Sequence, residues 1–131
     1  MSAGRYNFYI EQGATFKTDL AYKDSNGDPI DLSDYTGRMQ IRPTVTSDTV
    51  YLTLSSSLNS DGTGLNFSGS NNSLPPVSGT VGVVIASCTS SLLSWSGEAY
   101  YDIELYSGSG DCPYTVRLLE GKVRLSKEVT R

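Results

Sequence analysis

Asp102 and Glu104 are the first residues to test for chemistry. Two acids at i and i+2 on a pleated strand stand roughly 7 Å apart on one face, a spacing that general acid–base hydrolysis of glycosidic bonds can use. The alternative is an exposed strand face, and the sequence favours it, because no partner chemistry accompanies the pair. The chain contains no histidine. That removes the commonest general base, the commonest metal ligand and every Ser-His or Cys-His nucleophile. Asp24-Ser-Asn-Gly-Asp28 spaces oxygen ligands as a calcium loop begins, yet lacks the later bidentate glutamate. A plain turn is the simpler reading, with Asn26-Gly27 as a positive-φ hairpin pair. Gly62-Thr-Gly64 and Gly108-Ser-Gly110 lack the helix and lysine of a phosphate loop. Neither Cys88 nor Cys112 has metal-ligand spacing. The residues therefore point to no enzyme and no cofactor.

Tyrosine is the more informative residue type. There are nine, against three phenylalanines and one tryptophan. Tyrosine supplies rigid, amphipathic contact area and is enriched at interfaces. Tyr9, Tyr51, Tyr100 and Tyr106 fall on expected outer faces or strand ends. Cross-strand packing, a protein–protein interface and a sugar-stacking platform are all open readings. For the sugar platform, Trp95, Tyr100 and Tyr106 are the candidates.

The elements that position these residues follow from a period of two. Tyr101, Ile103 and Leu105 alternate with Asp102, Glu104 and Tyr106. Tyr114, Val116 and Leu118 repeat the pattern, as do Val123 and Leu125, so the last third reads as strand, turn, strand, strand. Upstream, Tyr6, Phe8 and Ile10 form a first strand, and Phe16 to Tyr22 a second. Met39 and Ile41 share a face; Val50, Leu52 and Leu54 alternate; short strands surround Leu65–Phe67 and Val81–Ile85. Residues 69–78 form the longest loop, a candidate contact loop that includes Leu74. Residues 89–96 break the alternation and predict one helical turn, with Leu92, Leu93 or Trp95 capping the core. The fold class expected is all-β: an antiparallel sandwich, Ig-like or jelly-roll-like, of eight or nine short strands in a single domain over residues 1–131.

A net charge of −4 argues against nucleic acid as a partner. Arg117, Lys122, Arg124, Lys127 and Arg131 gather near the C-terminus, where alternation places them on a solvated face or against an acidic neighbour. The sequence has no apolar run of the length a membrane helix needs. The opening Met-Ser-Ala-Gly-Arg-Tyr-Asn lacks the layout of a signal peptide, so use without export is expected. In that setting Cys88 and Cys112 are free thiols, with pairing open under oxidising conditions.

Four segments carry a family resemblance: Gly13-Ala-Thr-Phe16; Asp31-Leu-Ser-Asp-Tyr-Thr-Gly-Arg-Met-Gln-Ile-Arg42; Tyr101-Asp-Ile-Glu-Leu105; and the closing stretch from Arg117 to the final Glu-Val-Thr-Arg. In this order they resemble small virion proteins of tailed bacteriophages, especially marine and cyanobacterial ones. The architecture is similar to the N-terminal sandwich of phage baseplate upper proteins. The resemblance spans most of the chain and is weakest over residues 55–76. It implies a structural role in the virion, with assembly in the host cytoplasm and no enzymatic activity. The partners implied are other virion proteins of the baseplate, fibre or capsid, met in multiple symmetric copies. Tail or baseplate adaptor is the first expectation, capsid decoration the second and a carbohydrate-binding module the third. The expected contact residues are Tyr6, Tyr9, Tyr51, Leu74, Trp95, Tyr100, Tyr106, Arg124 and Arg131. The expected contact elements are residues 1–10, 69–78 and 127–131.

Overall fold

The computed structural model describes residues 4–108 and 114–127. Cys112, Arg131 and most of the 108–111 hairpin tip therefore lie outside the described residues, as do 1–3 and 128–131 of the expected contact ends. The larger sheet contains β1 (Gly4–Arg5), β2 (Phe8–Glu11), β4 (Tyr35–Arg42), β5 (Leu52–Ser55), β8 (Glu98–Ser107) and β9 (Tyr114–Ser126). The smaller contains β3 (Phe16–Ala21), β6 (Gly64–Asn66) and β7 (Thr80–Ile85). The two sheets face each other across one core, making an all-β, sandwich-like fold dominated by antiparallel pairs.

Alternation fixes which side of each strand is dry. Tyr101, Ile103 and Leu105 of β8 are buried with Met39 and Ile41 of β4 and Leu54 of β5. Val81, Val83 and Ile85 of β7 face them from the smaller sheet, joined by Leu65, Leu32 and Leu93. Burying each such side chain is worth about 1.5–3 kcal/mol. The fold is thus held by the inner faces; residues 69–70 pack on the outer side of β7 at Gly82, whereas the outer face of β8 in the larger sheet stays partly open to solvent.

Four expectations need correction. The C-terminal stretch is one continuous 13-residue strand, with no turn at Glu120-Gly121. Ile103 pairs with Leu119 and Glu104 with Arg117, so Leu118 is an extra residue, a β-bulge. The bulge reverses the in–out phase, which alternation alone presents as two strands. With ten residues in β8 as well, the strands are not uniformly short.

The second correction concerns the N-terminus. β1 and β2 pair with β9 in parallel and in the same register on either side of a break at Tyr6-Asn7. Gly121 causes the break. A Cβ there would lie 2.1 Å from the Tyr6 carbonyl oxygen, so only glycine lets the chain press in. Tyr101 Oη donates to that carbonyl, and Lys122 N–H donates to Asn7 Oδ1 at 3.0 Å, replacing the lost ladder bonds. Phe8 stacks on Tyr101 with ring centroids 4.6 Å apart, and meets Phe16 edge-on at 5.5 Å.

Third, the helical turn α1 is Ser87–Ser90, earlier than expected. Ser90 Oγ donates to the Ala14 carbonyl at 2.7 Å and accepts from Gly13 N–H at 3.1 Å, pinning the β2–β3 connection. After α1, Leu93 and Trp95 are buried while Leu92 is exposed. Fourth, only Gly27 of the Asn26-Gly27 pair has positive φ, at 85°. Val50 lies just outside β5.

Burial holds the Tyr101 phenol well above the ordinary range, with Tyr6 and Glu120 nearby adding to the shift. A phenol with a raised folded-state pKa contributes stability that is complete below the unfolded value of about 10 and is lost as pH rises beyond it. Unfolding free energy is therefore expected to fall above about pH 10. In Tyr101→Phe that alkaline decline should be smaller, as urea titrations at stepped pH would show. An equal decline in both proteins would refute the assignment.

Candidate contact face

β8 alternates, so Tyr100, Asp102, Glu104 and Tyr106 stand together on the outer face of the larger sheet. β4 adds Arg38, Gln40 and Arg42 beside them, in register with Glu104, Asp102 and Tyr100. β9 adds Arg117, Glu120, Lys122 and Arg124 on the other flank. Tyr9 of β2 pairs with Arg124 and continues the face to its edge. Tyr6 borders it at the strand break.

Apart from Glu120, the charges form an acidic central row between two basic ones. Arg117 Nε lies 3.5 Å from Asp102, Lys122 Nζ 3.8 Å from Glu98 and Arg38 Nη2 3.9 Å from Glu104. All six side chains keep substantial solvent contact, so each pair is worth at most about 1 kcal/mol. Their weight lies in orientation and specificity. Asp102 and Glu104 each answer to a different arginine, as side chains of a solvated sheet face do. Lys122 Nζ also sits 6.0 Å from the Tyr100 ring centroid, at the limit of a cation–π contact.

One loop overhangs this face. Arg42 donates to the Ser47 carbonyl at 2.6 Å and to Gln40 Oε1 at 2.9 Å, fixing residues 43–51 beside β4. Val45 projects from that loop and is 80% exposed. Between Val45 and the sheet lies a shallow depression of about 180 Å³, floored by Tyr100 and Glu120. It adjoins a broader one of about 660 Å³ that reaches Tyr6 and Arg5. Both are open troughs, a shape that suits a protruding loop or side chain of another protein.

The structure thus sets Tyr9, Tyr100, Tyr106 and Arg124 on one face, with Tyr106 toward the opposite end of β8 from Arg124. Tyr6 only borders that face, its ring lying against core-facing Phe8 with centroids 5.4 Å apart, and Tyr51, Trp95 and Leu74 lie elsewhere. Trp95 is a correction: it is only 6% exposed and lies beneath Tyr51, rings 5.0 Å apart and within 8° of parallel. It serves the core end, and a sugar platform cannot use it as its exposed ring. Tyr51 covers it and is partly exposed. Leu74 is exposed in the 69–78 loop, away from the large face. That loop is tied down, since Asp19 Oδ1 accepts from Ser70 N–H at 2.7 Å and Leu32 N–H donates to the Pro76 carbonyl at 3.0 Å.

A second tyrosine group escaped the sequence reading. Tyr22, Tyr35 and Tyr114 lie close enough for their phenols to interact, and burial with these neighbours raises the Tyr22 pKa. Tyr35 and Tyr114 both pair with Ser107, from opposite sides. Only the strand register reveals this; spacing along the chain carries no trace of it.

The remaining chemical candidates resolve into local structure. Asp24 Oδ1 accepts from Asn26 N–H and Asp28 N–H at 2.9 and 3.0 Å, so that carboxylate organises its own turn. Asp61 accepts from Thr89 Oγ1 at 2.6 Å and from Thr63 N–H at 2.9 Å, which holds its pKa below the ordinary value. Among the described residues no group of three or more potential ligands is placed to share a metal ion. Cys88 is exposed and pairs with no cysteine among the described residues. No helix among the described residues is long and apolar enough to cross a membrane. Neither any protein-family model nor any curated protein matches the sequence.

Proposed function

We propose that this chain is a non-enzymatic structural component of a tailed-phage particle, an adaptor of the tail, baseplate or fibre attachment. Its working surface is the outer face of the larger sheet. One observation carries the reading: Tyr9, Tyr100, Tyr106 and Arg124 share the broad outer face of the larger sheet, which the core does not use. Rigid aromatic anchors with arginine at their margin are the composition of protein–protein hot spots. The sequence resemblance to phage virion proteins supplies the setting. Symmetric repetition would multiply weak single contacts into firm attachment.

Cross-linking mass spectrometry on intact particles tests this. Lys122, on the face, and Lys127, exposed beyond β9, are the handles. Links from Lys122 to baseplate or fibre proteins are expected. Links solely to the major capsid protein would make the chain a decoration protein instead. Absence of the chain from purified particles would overturn the virion setting.

A further inference from the structure

Among the described residues the smaller sheet runs β3–β7–β6, so β3 pairs with a strand on one side only and its other backbone edge has no strand partner. Such an edge invites pairing with another strand. At six residues, β3 is the longer of this sheet's two edge strands. Its inner-face residues Phe16 and Leu20 pack on the core but remain partly exposed, while Lys17 and Asp19 point outward. Lys17 makes no ion pair among the described residues.

The order Phe16-Lys17-Thr18-Asp19-Leu20 is complementary to itself when reversed. Antiparallel pairing with a second copy about Thr18 sets Lys17 against Asp19 of the other copy twice, Phe16 against Leu20 twice, and Thr18 against Thr18. Opposite charges, apolar pairs and Thr–Thr pairs are the favourable cross-strand combinations. A one-residue slip would place inner residues opposite outer ones. Moving the axis by one residue, which changes the register by two, sets Lys17 on Lys17 or Asp19 on Asp19, which is repulsive. Only the Thr18 register satisfies every pair. We propose that this edge is a homodimer interface, with two copies joined by antiparallel β3–β3 pairing about a two-fold axis through Thr18, so that the smaller sheets of both become one. The proposal does not depend on the phage setting.

The test is charge exchange followed by sedimentation velocity. The parent protein should show reversible dimerisation at concentrations up to roughly 1 mM, the weak range expected of a small interface. Lys17→Asp and Asp19→Lys, each alone, place like charges opposite each other, and association should weaken by about tenfold or more. An equimolar mixture of the two restores both opposite-charge pairs and should dimerise again. A monomeric parent, unaffected single variants, or a mixture that stays monomeric would each overturn the proposal. Asp19 also holds Ser70, so Asp19→Lys has a second reason to perturb the fold. Amide exchange in the parent provides an independent reading. Protection at Lys17, Thr18 and Asp19 should rise with protein concentration, and protection that is independent of concentration would contradict the pairing.

Discussion

Gly121→Ala is expected to lower the unfolding free energy by about 3 kcal/mol, at the upper end of what overpacking costs. The new Cβ would lie 2.1 Å from the Tyr6 oxygen, 2.9 Å from the Tyr6 carbonyl carbon and 3.1 Å from Asn7 Oδ1. The first two are backbone atoms, so no rotamer change relieves the contact and the N-terminal strand must lift. Lifting it breaks the hydrogen bond from Tyr101 to the Tyr6 carbonyl and leaves a largely buried hydroxyl without its partner. An orphaned buried donor alone costs about 1–3 kcal/mol. It also loosens Phe8, whose ring stacks on Tyr101. Urea unfolding would measure the loss, and limited proteolysis should show new cleavage near residues 5–7. A variant within about 0.5 kcal/mol of the parent, the range of ordinary surface changes, would mean that Gly121 is not what admits the strand break.

The same region shows what a sequence conveys about structure and what it withholds. The inner faces of β4 and β8 were legible because burial on one side imposes strict alternation; β7 is buried on both sides, yet still carries Val81, Val83 and Ile85 at alternate positions. That placed Tyr100, Tyr106, Asp102 and Glu104 on the outer face correctly. Alternation says nothing about strand direction, so the parallel pairing of β1 and β2 with β9 was invisible. It also misleads at a bulge: the change of phase at Leu118 imitates a turn between two strands, and Gly121 beside it strengthens the impression. Glycine there serves close backbone approach instead. Trp95 carried two readings, core cap and exposed sugar contact, because the segment after α1 has no period to assign its side. Burial beneath Tyr51 decides for the core. The grouping of Tyr22, Tyr35 and Tyr114 depends on register between strands far apart in sequence. The self-complementarity of β3 was on view in five consecutive residues, yet it acquires meaning only once β3 is known to be an edge.

Replacing Tyr100 and Tyr106 by serine together separates the contact face from the fold. Both side chains stand on the outer surface of β8 while Tyr101, Ile103 and Leu105 between and beside them fill the core. Their removal deletes no core volume, and the loss of the Lys122–Tyr100 contact is a minor term, since exposed cation–π pairs contribute about 0.5–1 kcal/mol. Buried interface tyrosines commonly contribute about 2 kcal/mol or more each. Losing two should weaken a single contact by about a thousandfold. The decisive measurement is the occupancy of this chain in purified particles assembled with the Tyr100→Ser, Tyr106→Ser variant, after circular dichroism and thermal unfolding have shown a native fold. Occupancy reduced at least about tenfold, with the fold intact, is the result expected if this face seats the protein in the particle. Full occupancy of a correctly folded variant would contradict it.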